Sequence, residues 1–160
     1  EVDEHMIRID IPDFGPVGVA HIVCDYNGTL AENGELLPGV SQAINEINDA
    51  KVHVITADTF GVAGEQLADT KCQLTIAPQD GQAQWKLDYV RSLGAHHTVA
   101  IGNGRNDRLM LQEAALGIAL IQGEGAAVQT VQSAQILCTS ITDALALFTN
   151  PNRLIATLRS

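Results

Sequence analysis

Four stretches of this chain carry side chains that could do chemistry together. The first is Cys24-Asp25-Tyr26-Asn27-Gly28-Thr29-Leu30, a carboxylate ahead of a glycine turn. The second, Ile55-Thr56-Ala57-Asp58, offers a hydroxyl, and Lys86 offers an ammonium. The last, Ile101-Gly102-Asn103-Gly104-Arg105-Asn106-Asp107, ends in a second carboxylate. A carboxylate before a Gly-containing turn is an exposed nucleophile for phosphoryl transfer. Asp107 is suited to share a hard cation such as Mg²⁺ with it, since Mg²⁺ takes a few protein oxygens and fills its remaining positions with water and phosphate. Thr56 and Lys86 are of the types that bind the oxygens of a transferring phosphoryl group. Such transfer needs positioning and charge stabilisation above all.

Taken singly, these residues read more simply. Asp is common in turns and at helix starts, Thr56 is a strand-end residue, and Lys86 is a solvated helix residue for which Lys71 or Arg105 could substitute. Asp58 is expected to cap the helix that follows it. Gly102-x-Gly104 is a weak dinucleotide signal, with no acidic residue at the expected distance after a second strand. His96 and His97 are adjacent in sequence and so do not share a face. His5, His21 and His53 lack metal-ligand spacing, so zinc is not expected.

The elements that must position these groups follow from periodicity. Residues 6–11 alternate at period two, and 17–24 form a β-branched run, read as one buried strand; together they predict an antiparallel hairpin. Asn33-Gly34 is a two-residue hairpin turn. Val40, Ile44 and Ile47 mark a helix face after Pro38 and Gly39. Strands are predicted at 52–57, 74–77, 98–101, 117–121 and 136–138. Helices are predicted at 62–68, 82–93, 109–115, 126–134 and 141–148, with a last one from Pro151. Short apolar strands alternating with helices predict an α/β, Rossmann-like three-layer fold around a mostly parallel sheet. Ligands of such folds sit beyond the carboxyl ends of the strands, which is where the four stretches fall.

In that order and at those spacings, Asp25-x-Asn27-Gly28-Thr29-Leu30, Thr56, Lys86 and Gly102-x-Gly104-x-Asn106-Asp107 resemble the four motifs of the haloacid dehalogenase-like superfamily. The nearest likeness is to its soluble branch related to P-type ATPase phosphorylation domains. It spans about residues 20–140 and is strongest at 25–30, 56–61 and 101–121. The resemblance implies that Asp25 is a nucleophile forming an aspartyl-phosphate, and that Thr56 and Lys86 hold the phosphoryl group. It further implies that Asp25, the Asn27 carbonyl, Asn103 and Asp107 hold Mg²⁺. Two departures stand out. Asn27 occupies the position where hydrolytic members carry an acid–base Asp, and an amide cannot exchange that proton. Asn103 replaces a further Asp, so a metal ligand has lost its charge. No stretch is long enough for an inserted cap, because the segments between Asp25, Thr56 and Lys86 are used up by predicted elements.

Composition narrows the function classes. The chain has 160 residues, expected to form one domain over 1–160, with 46% hydrophobic and 18% charged residues, ordinary for a globular protein. A net charge of −10 argues against nucleic acid and anionic lipid as partners. It leaves room for a phosphorylated ligand, because a bound cation reverses the local field. No apolar run approaches the roughly 20 residues of a membrane span, and no signal peptide is recognisable. The start at Glu1 suggests a trimmed terminus. Cys24, Cys72 and Cys138 are expected to be reduced in a cytoplasmic protein.

The reading is a Mg²⁺-dependent phosphohydrolase, a slow phosphatase, acting on a small phosphorylated substrate or a phosphoprotein. A binding or regulatory module that kept the fold and lost turnover is the alternative. A response-regulator receiver also uses Asp, Thr, Lys and Mg²⁺, but places them in another order. The open site and apolar hairpin point to a homo-oligomer, most simply a homodimer.

Overall fold

Period-two alternation decides which strand residues meet which layer, and one residue of that alternation places the candidate nucleophile. The computed structural model describes residues 5–58 and 61–160; positions 59 and 60 of the 56–61 motif lie outside the described residues. In chain order, β1 (Ile7–Ile11) and β2 (Gly15–Val19) form an antiparallel hairpin, β3 (His21–Asp25) enters the central sheet, and β4 (Ala31–Glu32) and β5 (Glu35–Leu36) make a small flap. There follow α1 (Val40–Asn45), β6 (Lys51–Thr56), α2 (Val62–Gln66), β7 (Gln73–Ile76), α3 (Gln82–Leu93), β8 (Thr98–Gly102) and α4 (Arg108–Glu113). The chain ends with β9 (Leu116–Leu120), α5 (Val128–Ser133), β10 (Ile136–Cys138), α6 (Ile141–Ala146) and α7 (Pro151–Leu158).

The central sheet has six strands in the order β10-β9-β8-β3-β6-β7, and every neighbouring pair is parallel. The order runs outward in both directions from β3. Strand order therefore reverses at β3, which opens a crevice at its carboxyl end. Along β3, Ile22 and Cys24 face one apolar layer, shared with α1, α6, α7 and the β1–β2 hairpin. Val23 faces the other, shared with α3 and α4. Asp25, two residues after Val23, follows it to the α3 side.

The predicted 17–24 strand is two strands. At Ala20 the backbone changes partners: its N–H donates to the His97 carbonyl at 2.9 Å and its carbonyl accepts from Lys51 at 2.9 Å. The chain thus leaves β1 for the central sheet there. Apolar residues on both sides of Ala20 hide the break from a periodicity argument. The Asn33-Gly34 turn forms as expected, with both residues at positive φ, 52° and 84°. The three cysteines are free. Burial raises the Cys24 thiol far above its ordinary pKa, with smaller contributions from Cys72 and Asp25. Among the described residues no helix is long and apolar enough to cross a membrane.

Candidate active site

Asp25 ends β3 and meets Lys86, which α3 presents from the layer above. The Lys86 Nζ donates to Asp25 Oδ1 at 3.0 Å and to Asp107 Oδ1 at 2.7 Å. Asn106 Oδ1 stands at 3.4 Å and takes the third ammonium donor. Lys86 is 2% exposed and Asp107 fully buried. Lys71, weighed as a substitute for Lys86, instead lines a cavity with Lys51 and Gln73, the residues that open β6 and β7. Asp107 reaches this position from a tight turn after β8. Its Oδ2 accepts the backbone N–H groups of Asn103 at 3.1 Å and Gly104 at 3.0 Å. Gly102 is needed for this, because a Cβ there would lie 2.8 Å from the Asp107 Cβ and nearer still to its carboxylate.

Two carboxylates thus share one ammonium, which leaves a net charge of −1. Burial pushes the Asp25 carboxyl up to about 7, and Asp107 adds to this, while Lys86 pulls it down. Asp25 is therefore fully ionised at pH 7 only with a second cation nearby. Burial alone would lower the Lys86 ammonium, but Asp25 and Asp107 outweigh it and hold it above its ordinary value.

Above this floor lies a cleft of about 620 Å³ lined by Asp25, Asn27, Thr56 and Asn103. The structure thereby brings all six expected residues to one strand-end crevice, four on the wall and two beneath. Thr56 ends β6, and its Oγ1 accepts the Asp58 N–H at 3.1 Å. Asp58 Oδ2 accepts the Ala63 N–H at 3.0 Å in the first turn of α2, the capping role expected of it. The Asn27 Oδ1 accepts the Gly34 N–H at 3.0 Å, so this side chain ties the flap turn to the loop after β3. Asn103 donates its Nδ2 to the Gly125 carbonyl at 3.0 Å and lies over Gly28, where a Cβ would stand 2.8 Å from its Oδ1 and close against the Glu124 carboxylate.

The donor set suits a hard cation. It comprises the Asp25 and Asp107 carboxylates, the Asn103 amide oxygen and the Asn27 carbonyl, all oxygen. Among the described residues no group of three His, Cys, Asp or Glu side chains forms a metal site. These four groups could hold a Mg²⁺, with both carboxylates already engaged by Lys86.

Several residues escaped the sequence argument. Gln82 accepts from Asn106 Nδ2 at 2.7 Å and so steadies the group beside Lys86. Its place one turn before Lys86 on the predicted helix was the available signal. Glu124 lines the cleft from the loop after β9, a strand end with no motif of its own in the sequence. Gln122 links that same loop to the loop after β3, with Nε2 2.9 Å from the Thr29 carbonyl and Oε1 accepting the Ile141 N–H at 2.9 Å.

No family model matches the chain. An uncharacterized protein of Methanocaldococcus jannaschii is 52% identical over 61 residues, covering 38% of this chain and 66% of that one. The cadmium, zinc and cobalt-transporting ATPase of Bacillus subtilis is 25% identical over 119 residues, 69% of this chain and 17% of the transporter. The chain therefore spans less than two thirds of either protein. Among solved structures, the 3-deoxy-D-manno-octulosonate 8-phosphate phosphatase of Moraxella catarrhalis, in complex with magnesium, phosphate and the sugar acid, superposes with a TM-score of 0.66. Its identity is 16%, over 88% of this chain and 94% of that one. The chain has the haloacid dehalogenase-like fold, with no inserted cap among the described residues and with the added amino-terminal hairpin.

Proposed function

We propose that the chain is a slow, Mg²⁺-assisted phosphohydrolase working through a phosphorylated Asp25. The observation that carries this reading is the buried ammonium of Lys86 held between Asp25 and Asp107 at the carboxyl end of the central strand. A structural ion pair has no need of a second carboxylate, whereas a site receiving a phosphoryl dianion does need a fixed cation already in place. The fold neighbour's bound magnesium and phosphate support the same reading.

In this reading an Asp25 oxygen attacks the phosphorus. The bond from phosphorus to the leaving oxygen breaks, and a mixed anhydride forms on Asp25. Lys86 stabilises the carboxylate before attack and the phosphoryl oxygens after it, and Thr56 donates to one of those oxygens. Water then attacks the phosphorus, the bond to Asp25 breaks, and inorganic phosphate leaves with the carboxylate restored. Mg²⁺, held by Asp25, Asp107, Asn103 and the Asn27 carbonyl, would neutralise phosphoryl charge and favour the ionised form of Asp25. Asn27 can neither protonate the leaving group nor take the proton from water, so good leaving groups react best and the second step is slow.

The alternative, a binding or regulatory module, draws on one observation. The Asn27 amide is engaged in holding the flap turn, which is a structural use of the position where acid–base chemistry is expected. Mg²⁺-dependent hydrolysis of a panel of acyl phosphates, aryl phosphates and alkyl phosphates, by the wild type and Asp25→Asn, separates the two. The phosphohydrolase reading expects turnover, fastest on acyl phosphates, that vanishes in the variant. Turnover surviving in Asp25→Asn, or absent from both proteins, contradicts it. The open cleft further leads us to propose a homo-oligomer in which a second copy partly covers the site, and light scattering showing a monomer at high concentration would reject that.

A further inference from the structure

The cleft continues past Gln82 and Asn106. These two residues and Gly104 also line an open groove of about 700 Å³, which carries Arg105 and Arg108. The two directions out of the site differ in charge: Asp58 and Glu124 line the cleft itself, and the two arginines line the extension. The whole chain has 9 Lys and Arg against 19 Asp and Glu. Yet among the described residues neither Arg105 nor Arg108 forms an ion pair. Arg108 folds back, its Nη1 donating to the Arg105 carbonyl at 2.9 Å, and this leaves the remaining guanidinium donors of both residues for another acceptor. Gly81, at the amino end of the 12-residue helix α3, borders the same groove and adds the partial positive charge of the helix terminus.

We propose that the substrate carries a second anionic group, a carboxylate or a further phosphate, which lies in this groove against Arg105 and Arg108 while its phosphoryl group faces Asp25. The acidic wall at Asp58 and Glu124 turns such a tail away, and the arginines receive it. A planar guanidinium matches carboxylate and phosphate oxygens through paired N–H donors. Arg105 is exposed and Arg108 half-buried, so the selectivity is screened by salt.

This inference rests on the phosphohydrolase reading, and the test keeps the two apart. Values of kcat/KM are measured for three series of matched chain length: simple alkyl phosphates, ω-carboxyalkyl phosphates and α,ω-alkyl bisphosphates. The wild type is expected to favour at least one anionic series over the alkyl series by fivefold or more, with the margin shrinking between 0.05 and 0.5 M salt. Whether the carboxylates or the bisphosphates lead identifies the tail. In Arg105→Gln/Arg108→Gln the ratio of anionic to alkyl substrates is expected to collapse toward one, and in Arg105→Glu to fall below the wild-type ratio. If the alkyl and anionic series are equal in the wild type, or the ratio is unmoved by the double variant, the inference is overturned while the phosphohydrolase reading stands. If no series turns over, acetyl phosphate decides: its hydrolysis keeps the phosphohydrolase reading and overturns the inference, and its failure brings down the reading beneath.

Discussion

The central sheet has a polar cluster toward each end, the amino-end one half-buried around a buried His53, and the two are built on opposite principles. At the carboxyl end, Lys86, Asp25 and Asp107 are charged and paired. Toward the amino end, the His21 Nδ1 meets the His53 Nε2 at 2.9 Å, the His53 Nδ1 meets the Tyr89 hydroxyl at 2.9 Å, and Thr75 Oγ1 lies 3.3 Å from that hydroxyl. Burial, then the nearby His21 and Lys51, lowers His53 to about 4, so it is neutral at pH 7. A neutral imidazole offers one donor and one acceptor and is satisfied by two such neighbours. His21 borders a cavity of about 710 Å³, comparable in size to the carboxyl-end cleft. Cavity size therefore does not distinguish the two ends. Charge held in a dry place does, because a buried ion is costly unless something uses or compensates it.

The largest effect expected on this contrast is at Asp25. Replacing it by Asn should lower phosphoryl transfer by on the order of 10³-fold or more, with the fold retained by circular dichroism, since the residue ends its strand. Next is Lys86→Met, which leaves two buried carboxylates facing each other. Breaking a buried charge pair costs about 3–5 kcal/mol, to be read from urea unfolding, and Mg²⁺ should return part of that loss.

The amino-end cluster should respond to pH rather than to metal. His53 in the folded chain titrates below its ordinary 6.5, at about 4. Between those values the unfolded chain binds the extra proton, so this group's share of stability falls as pH drops through that window. Subtracting the urea midpoints of His53→Gln from those of the wild type at pH 7 and pH 4.5 should expose that slope, and equal differences at both pH values would deny it. The smallest effect belongs to Tyr89→Phe, which removes one hydroxyl. It should cost about 1 kcal/mol with phosphoryl transfer unchanged, and a loss of transfer there would dissolve the distinction between the two clusters.

The legibility of the two clusters in the sequence was unequal as well. Asp25, Thr56, Lys86 and Asp107 each follow or face a strand end, where residue type and chain order suffice to gather them. The parallel sheet and the α3 boundaries were equally open to periodicity, because β-branched runs and helical spacing are local signals. The break at Ala20 was not, since it consists of a change of hydrogen-bond partner between two apolar segments. The His21–His53–Tyr89 chain was hidden for a related reason. Its residues lie on three separate elements, and strand register together with α3 packing brings them into contact. The Asn27 link to Gly34 likewise depends on the flap folding back over its own loop.

The central claim is that Asp25 accepts a phosphoryl group. The direct test is intact-mass spectrometry of acid-quenched reactions with acetyl phosphate and Mg²⁺. The wild type is expected to gain the mass of one phosphoryl group and Asp25→Asn none. Asn27→Asp should show less accumulated phosphoenzyme with faster turnover, by some fraction of the 10²–10⁴-fold that general acid–base help supplies. A wild type and an Asn27→Asp variant that neither gain that mass nor release phosphate would contradict the account.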